Sequence, residues 1–177
     1  MKSANLLTIV SFIVLTAMIS AGQNKTESIN KGDTIEQTII IAQNLLKKGD
    51  AAGAISILQA ASQSNPQNEI IKYWLGKAFY SQGNYQKAIE NLNLAVDKFP
   101  KNTAEQIQSV QMLGLAHYIS GQLAEAIPYF EKITQWQPEN SEVAYALGVS
   151  YIQTRQPAKS RDVFAKLFKV PTNSAAA

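Results

Sequence analysis

The feature that most constrains this chain is a spacing of 34. It separates Gly49 from Gly83, Pro66 from Pro100, Ala54 from Ala88, Leu58 from Leu92, and Ala61 from Ala95. The next copy is displaced by 38, from Gly83 to Gly121, Pro100 to Pro138 and Ala88 to Ala126. The last step returns to 34, from Leu113-Gly114 to Leu147-Gly148 and from Phe130 to Phe164. A fixed period of this size marks a small structural unit stacked on copies of itself, so that neighbours complete one another's core. Four units follow, at about 35–68, 69–102, 103–140 and 141–171.

Each unit reads as two amphipathic helices. Ile71, Trp74, Leu75, Ala78 and Phe79 recur at the helical period, and Gly83-Asn84 then breaks the chain. Tyr85, Ala88, Ile89, Leu92, Ala95 and Val96 form a second helical face. Phe99-Pro100 ends it, because a residue before proline avoids helical geometry. Asp33 with Glu36, and Thr103 with Gln106, have capping-box spacing at helix starts. Small residues recur in phase on the first helix (Ala42, Gly76, Gly114, Gly148) and on the second (Ala54, Ala88, Ala126, Ser160). Bulky residues flank them, which predicts close helix pairs in which a large side chain fills the gap left by a small one. The longer third step inserts Thr103 to Gln106, which predicts a first helix in the third unit that starts about one turn early. Pro128 falls inside the following helix, where it removes one backbone hydrogen bond and is expected to bend it.

The stretches LGKAFYSQGNYQKAIENLNLAVDKFP (75–100) and LGLAHYISGQLAEAIPYFEKITQWQP (113–138) resemble the tetratricopeptide repeat family. The resemblance extends over about 35–171. It is weaker in the first unit, where Thr38 and Ala42 stand at places usually bulky and glycine. It is weaker again in the fourth, which has Arg155 for the turn glycine, Pro157 for the usual aromatic and Ser160 for alanine. The resemblance implies an all-α fold, a right-handed α-solenoid of four tandem helix-turn-helix units that binds peptides or proteins. The first helices then line a concave face. Its in-phase positions are Ile39 and Gln43; Tyr73, Lys77 and Tyr80; Gln111, Leu115 and Tyr118; Tyr145, Val149 and Ile152, with Glu36, Ile70, Gln108 and Glu142 beside them. Four of the seven tyrosines fall in this set. An aromatic ring with one hydroxyl suits a recognition surface, so the expected ligand is an extended or helical segment with apolar anchors. One subclass of the family grips a C-terminal carboxylate with cationic residues. The matching places here hold Ile39, Gln43, Trp74, Gln108 and Met112, which does not support that mode.

Composition narrows the chemistry. The chain has no Cys, which excludes disulfides and thiolate catalysis, and a single His, which excludes a His-pair metal site. His117 is in phase with Leu45, Phe79 and Tyr151, so a packed core position is expected. No Gly-rich phosphate loop and no paired carboxylates appear, so neither a cofactor nor a metal nor a catalytic site is expected. The net charge of +3 is too weak to argue for nucleic acid. An RNA-binding helical repeat, suggested by a pI of about 9.0, is therefore a minor alternative.

Residues 1–22 have the layout of an export signal. Lys2 gives a positive start, Leu6 to Ile19 is an uncharged and mostly apolar run, and Ser20, Ala21 and Gly22 are small. The expectation is cleavage after Ala21 or Gly22 and an exported, periplasmic or secreted protein. The stretch from Ala4 to Gly22 comes close to the length of a membrane span, so a retained anchor at residues 4–22 is the alternative. Residues 23–32 read as a polar spacer and 172–177 as a frayed tail.

Overall fold

In a computed structural model, residues 34–173 are described. The export segment, the spacer, Asp33 and residues 174–177 lie outside them. Eight α-helices follow in antiparallel pairs: α1 (Ile35–Lys47) with α2 (Ala51–Ser64), α3 (Glu69–Ser81) with α4 (Tyr85–Ala95), α5 (Ala104–Ile119) with α6 (Leu123–Trp136), and α7 (Ser141–Gln153) with α8 (Pro157–Phe168). A short 3₁₀ turn, Val96–Lys98, extends α4 before Phe99 turns extended ahead of Pro100. The α5 helix has 16 residues against 13 in α1, α3 and α7, so the insertion is absorbed as nearly one more turn of first helix. The α6 helix runs through Pro128 without interruption.

Amide and hydroxyl side chains start the helices. Asn68, Asn84 and Asn140 each accept a hydrogen bond from the backbone N–H three residues on, as Asp50 and Thr103 do. The capping box of α1 uses Thr34 and Gln37, one residue later than the predicted pair. At α5, Gln106 reaches past Thr103 to accept from the Asn102 N–H at 2.8 Å.

The predicted close packing is present. A Cβ placed on Gly76 would meet Leu92 at 2.5 Å, on Gly114 it would meet Phe130 at 2.8 Å, and on Gly148 Phe164 at 2.6 Å. Ala42, Ala54, Ala88 and Ala126 are fully buried. One continuous core runs from Tyr73 and Leu92 through Leu113 and Phe130 to Val143 and Tyr151. The second, third and fourth units therefore share apolar partners, as stacked repeats must.

The fourth turn follows the same plan as the other three. Gly49, Gly83 and Gly121 have φ of +80°, +80° and +75°, and Arg155 has +61°. The hydrogen bonds repeat as well: Gly83 N–H donates to Tyr80 C=O and Asn84 N–H to Phe79 C=O, while Arg155 N–H donates to Ile152 C=O and Gln156 N–H to Tyr151 C=O. Arg155 is thus held in a left-handed conformation that favours glycine. Pro157 occupies the first position of α8, where its missing N–H costs nothing.

Candidate functional site

The helices fall into two layers. Each first helix lies against the first helix of the next unit, α1 on α3, α3 on α5 and α5 on α7. The second helices stand further apart and are bridged by long side chains, as where Tyr129 OH donates to Asn93 Oδ1 at 3.4 Å. First helices packed more tightly than second helices form the inner side of a solenoid, and the predicted ligand positions all lie on them.

The structure separates those positions. Ile39 and Tyr73 are corrected: at 7% and 3% exposure they belong to the interior and face no open surface. Tyr73 packs edge-on against Trp74 and Phe99, with ring centroids 5.4 and 5.6 Å away. Its hydroxyl donates to Gln108 Oε1 at 2.6 Å, so the lengthened helix of the third unit covers it. Gln43, Lys77, Tyr80, Gln111, Leu115, Tyr118 and Val149 are half-buried, and Tyr145 and Ile152 are exposed. Tyr80 leans on Tyr85, Tyr118 on Phe130 and Tyr145 on Phe164, with ring centroids 5.5, 5.9 and 5.7 Å apart.

Lys77 brings an ammonium to this face. Its Nζ lies 4.6 Å from the centroid of Trp74 and 5.3 Å from that of Tyr73, and donates to Gln108 Oε1 at 3.1 Å. Burial lowers its pKa, opposed by the Glu105 carboxylate. Burial raises the Tyr73 hydroxyl to about 12, with Glu105 adding to the shift. Tyr80 is raised by burial, then by Tyr85 and Glu142. The arrangement can hold a peptide by apolar contact, ring stacking and one ammonium. The helical phase of Trp74 predicts a core position, yet the ring is only partly buried and carries Lys77 on its face. The Trp74–Lys77 spacing of three, which puts both on one helix face, was the available signal.

His117 is not a core residue. It is half-buried, stacks on Tyr129 at 5.6 Å and is hydrogen-bonded through Nδ1 to Gln122 Oε1 at 2.7 Å. The outer side carries clefts between second helices. One of about 600 Å³ lies between α6, α7 and α8, with Glu131, Thr134, Glu139, Val163 and Lys166 on its walls. Another of about 490 Å³ lies between α2, α3 and α4, lined by Gln59, Ser62, Lys72, Lys87 and Glu90 among others.

An all-helical array of paired helices with an aromatic inner face defines a repeat protein of the α-solenoid class. A family model for the tetratricopeptide repeat matches residues 45–111 and 117–177, and the chain belongs to that family. It is 32% identical over 103 residues to the human intraflagellar transport protein 88 homolog, covering 58% of this chain and 12% of that protein. It is 28% identical over 113 residues to mouse BBSome complex member BBS4, covering 64% of this chain and 21% of that protein. The chain therefore spans only a small part of the curated relatives it matches. Among solved structures, MamA from Desulfovibrio magneticus superimposes with a TM-score of 0.67 at 21% identity, covering 79% of this chain and 77% of that one. The MamA D159K mutant gives a TM-score of 0.71 at 19% identity, covering 81% of each chain. These likenesses show the fold.

Proposed function

We propose that this protein is a non-enzymatic scaffold that takes a segment of another protein along its inner helix face. The observation that carries the reading is a row of half-open side chains in phase on successive first helices: Lys77, Leu115 and Val149, flanked by Tyr80 and Tyr118. Repetition of one position on neighbouring helices suits a ligand that runs along the array, and half-buried aromatics make good anchors because little rotamer freedom is lost on contact. The BBSome complex member among the relatives is named as part of an assembly, which supports a scaffold role here. The partner in this reading is a protein or peptide with apolar anchors, with no nucleic acid and no small-molecule substrate.

The proposal includes export by residues 1–22 and work in an envelope complex, carried by the signal layout of that segment. Affinity capture from the exported fraction, with the paired variant Tyr80→Ala and Tyr118→Ala, tests the groove. A partner held by the unmodified protein is expected to be lost from this variant but kept by Gln59→Ala with Glu90→Ala on the outer face. Equal capture by both pairs counts against it. A mature chain starting near Gln23 in an intact-mass measurement supports cleavage, whereas an uncut chain in the membrane fraction favours the second reading, a tethered assembly factor.

A further inference from the structure

The repeat register sets the two ends of the described array side by side. Ile39, Tyr73, Gln111 and Tyr145 are equivalent positions on the four first helices, and so are Ile40, Trp74, Met112 and Ala146. In the first row, Ile39 of the first unit is 7% exposed and Tyr145 of the last is 55% exposed. The second row is the reverse: Ile40 is 49% exposed and Ala146 is 7% exposed. Among the described residues, the first unit has a neighbouring unit only after it and the last only before it. The first row is therefore covered by the following unit, as Tyr73 is by Gln108, and the second by the preceding one. Phe168 belongs with the first row. Of its equivalents, Val96 is buried against α3 and α5 and Ser62 and Thr134 are half-buried, while Phe168, with no following unit among the described residues, is 52% exposed. Ile152, equivalent to the half-buried Tyr80, is 56% exposed.

We infer that two copies of this chain associate head to tail, the α1 edge of one (Ile40, Glu36) seating on the α7–α8 end of another (Tyr145, Ile152, Phe168). The contact continues the interface already present between units, because Ile40 stands to Tyr145 as Trp74 stands to Ile39 within the chain. Glu36 is equivalent to Gln108, so it is placed to accept from the Tyr145 hydroxyl as Gln108 accepts from Tyr73. Each end carries charge of opposite sign, Glu36 on one and Arg161 on the other, both exposed. Arg161 also limits the contact. It stands where the other units have Ile55, Ile89 and Ile127, all buried, so the α8 side of the end is charged and the association is weaker than the contacts inside the chain. An interface of this kind uses different surfaces on its two sides and does not close on itself, so it gives an open series of oligomers.

Sedimentation velocity of the purified chain tests this. The weight-average mass is expected to rise between about 5 and about 200 µM, as for a weak interface, through dimer to trimer without stopping. Tyr145→Glu with Ile152→Glu removes one end, and Ile40→Glu removes the other. Each variant alone is expected to be monomeric with unchanged helical circular dichroism and melting. Mixed one to one, each supplies the end that the other lacks, and a dimer is expected with nothing larger. A monomeric unmodified chain throughout that range overturns the inference, and so does association that persists in both variants, as residues 1–33 would cause. Two folded variants that stay monomeric when mixed overturn it as well.

Discussion

Gly114 lies directly against Phe130: a Cβ at that position would sit 2.8 Å from the ring atoms Cδ1 and Cε1 and 3.1 Å from Tyr129 Cβ. Phe130 is fully buried, so its ring has nowhere to withdraw. Gly114→Ala gains up to about 1 kcal/mol of helix propensity but overpacks the interior at a cost of about 1–3 kcal/mol. The net expectation is a loss of stability, read as a lower urea midpoint at unchanged slope. The equivalent Gly148→Ala makes the discriminating comparison. Its neighbour Phe164 is only half-buried at the end of the array and can move aside, so that variant is expected to be near neutral. Equal losses at both sites would show that relief at the array's end is unimportant.

Ser160 is expected to be improved by truncation. It is 2% exposed, and its Oγ has no hydrogen-bond partner. The equivalent positions are Ala54, Ala88 and Ala126, each buried without a polar atom. An unpartnered buried hydroxyl costs about 1–3 kcal/mol, so Ser160→Ala is expected to stabilise by about 1 kcal/mol, seen as a higher denaturant midpoint. A lower midpoint would mean that the hydroxyl has a partner, such as a buried water.

Arg155 holds a backbone conformation that its three counterparts reach with glycine. A left-handed L-residue costs roughly 1–2 kcal/mol, and glycine returns part of that gain through the entropy of the unfolded chain, about 0.4–1 kcal/mol. Arg155→Gly is expected to raise stability by about 0.5–1 kcal/mol, and Gly83→Ala to lower it by a similar amount. Opposite shifts in melting temperature for these two variants are the signature.

The helices, their pairing and the contacts of glycine with a large side chain were legible because one rule, repetition, is tested four times within the chain. Gly76, Gly114 and Gly148 recur in register with Leu92, Phe130 and Phe164, and a small residue that keeps step with a large one marks a close helix contact. The turn at Arg155 was not legible, because the residue type argues against the left-handed region and only the bonds from Arg155 and Gln156 back to Ile152 and Tyr151 hold it there. The inner-face row was legible as a row, but not which members stay open. Tyr73 and Tyr145 are equivalent in sequence, and the first is buried under a following unit while the second, with none after it among the described residues, is exposed. His117 failed differently. Its phase matches core positions, yet an imidazole there turns outward to stack on Tyr129 and meet Gln122.

The interior tyrosines make the fold sensitive to alkali. The Tyr73 hydroxyl is raised from an ordinary value of 10.0 to about 12, first by burial and then by Glu105. Tyr80 and Tyr129 are raised chiefly by burial, and Tyr151 by burial and by its hydrogen bond to the Glu131 carboxylate. A phenol with a raised folded pKa binds its proton more tightly in the native state than in the unfolded chain. Its contribution is complete below pH 10 and is lost as pH rises through the folded value, because there only the unfolded chain has released the proton. Lys77 contributes with the opposite sign: its lowered pKa lets the native state release its proton first, and that effect fades as pH passes its unfolded value of 10.5. Stability is therefore expected to fall steadily between about pH 10.5 and 12, with Tyr73 one of the four tyrosines that contribute. Tyr73→Phe loses the hydrogen bond to Gln108 and is less stable at pH 8, but its decline above pH 10.5 is expected to be shallower. Urea midpoints measured across that window for both proteins decide the matter, and parallel declines would place the alkali sensitivity on Tyr80, Tyr129 and Tyr151 instead.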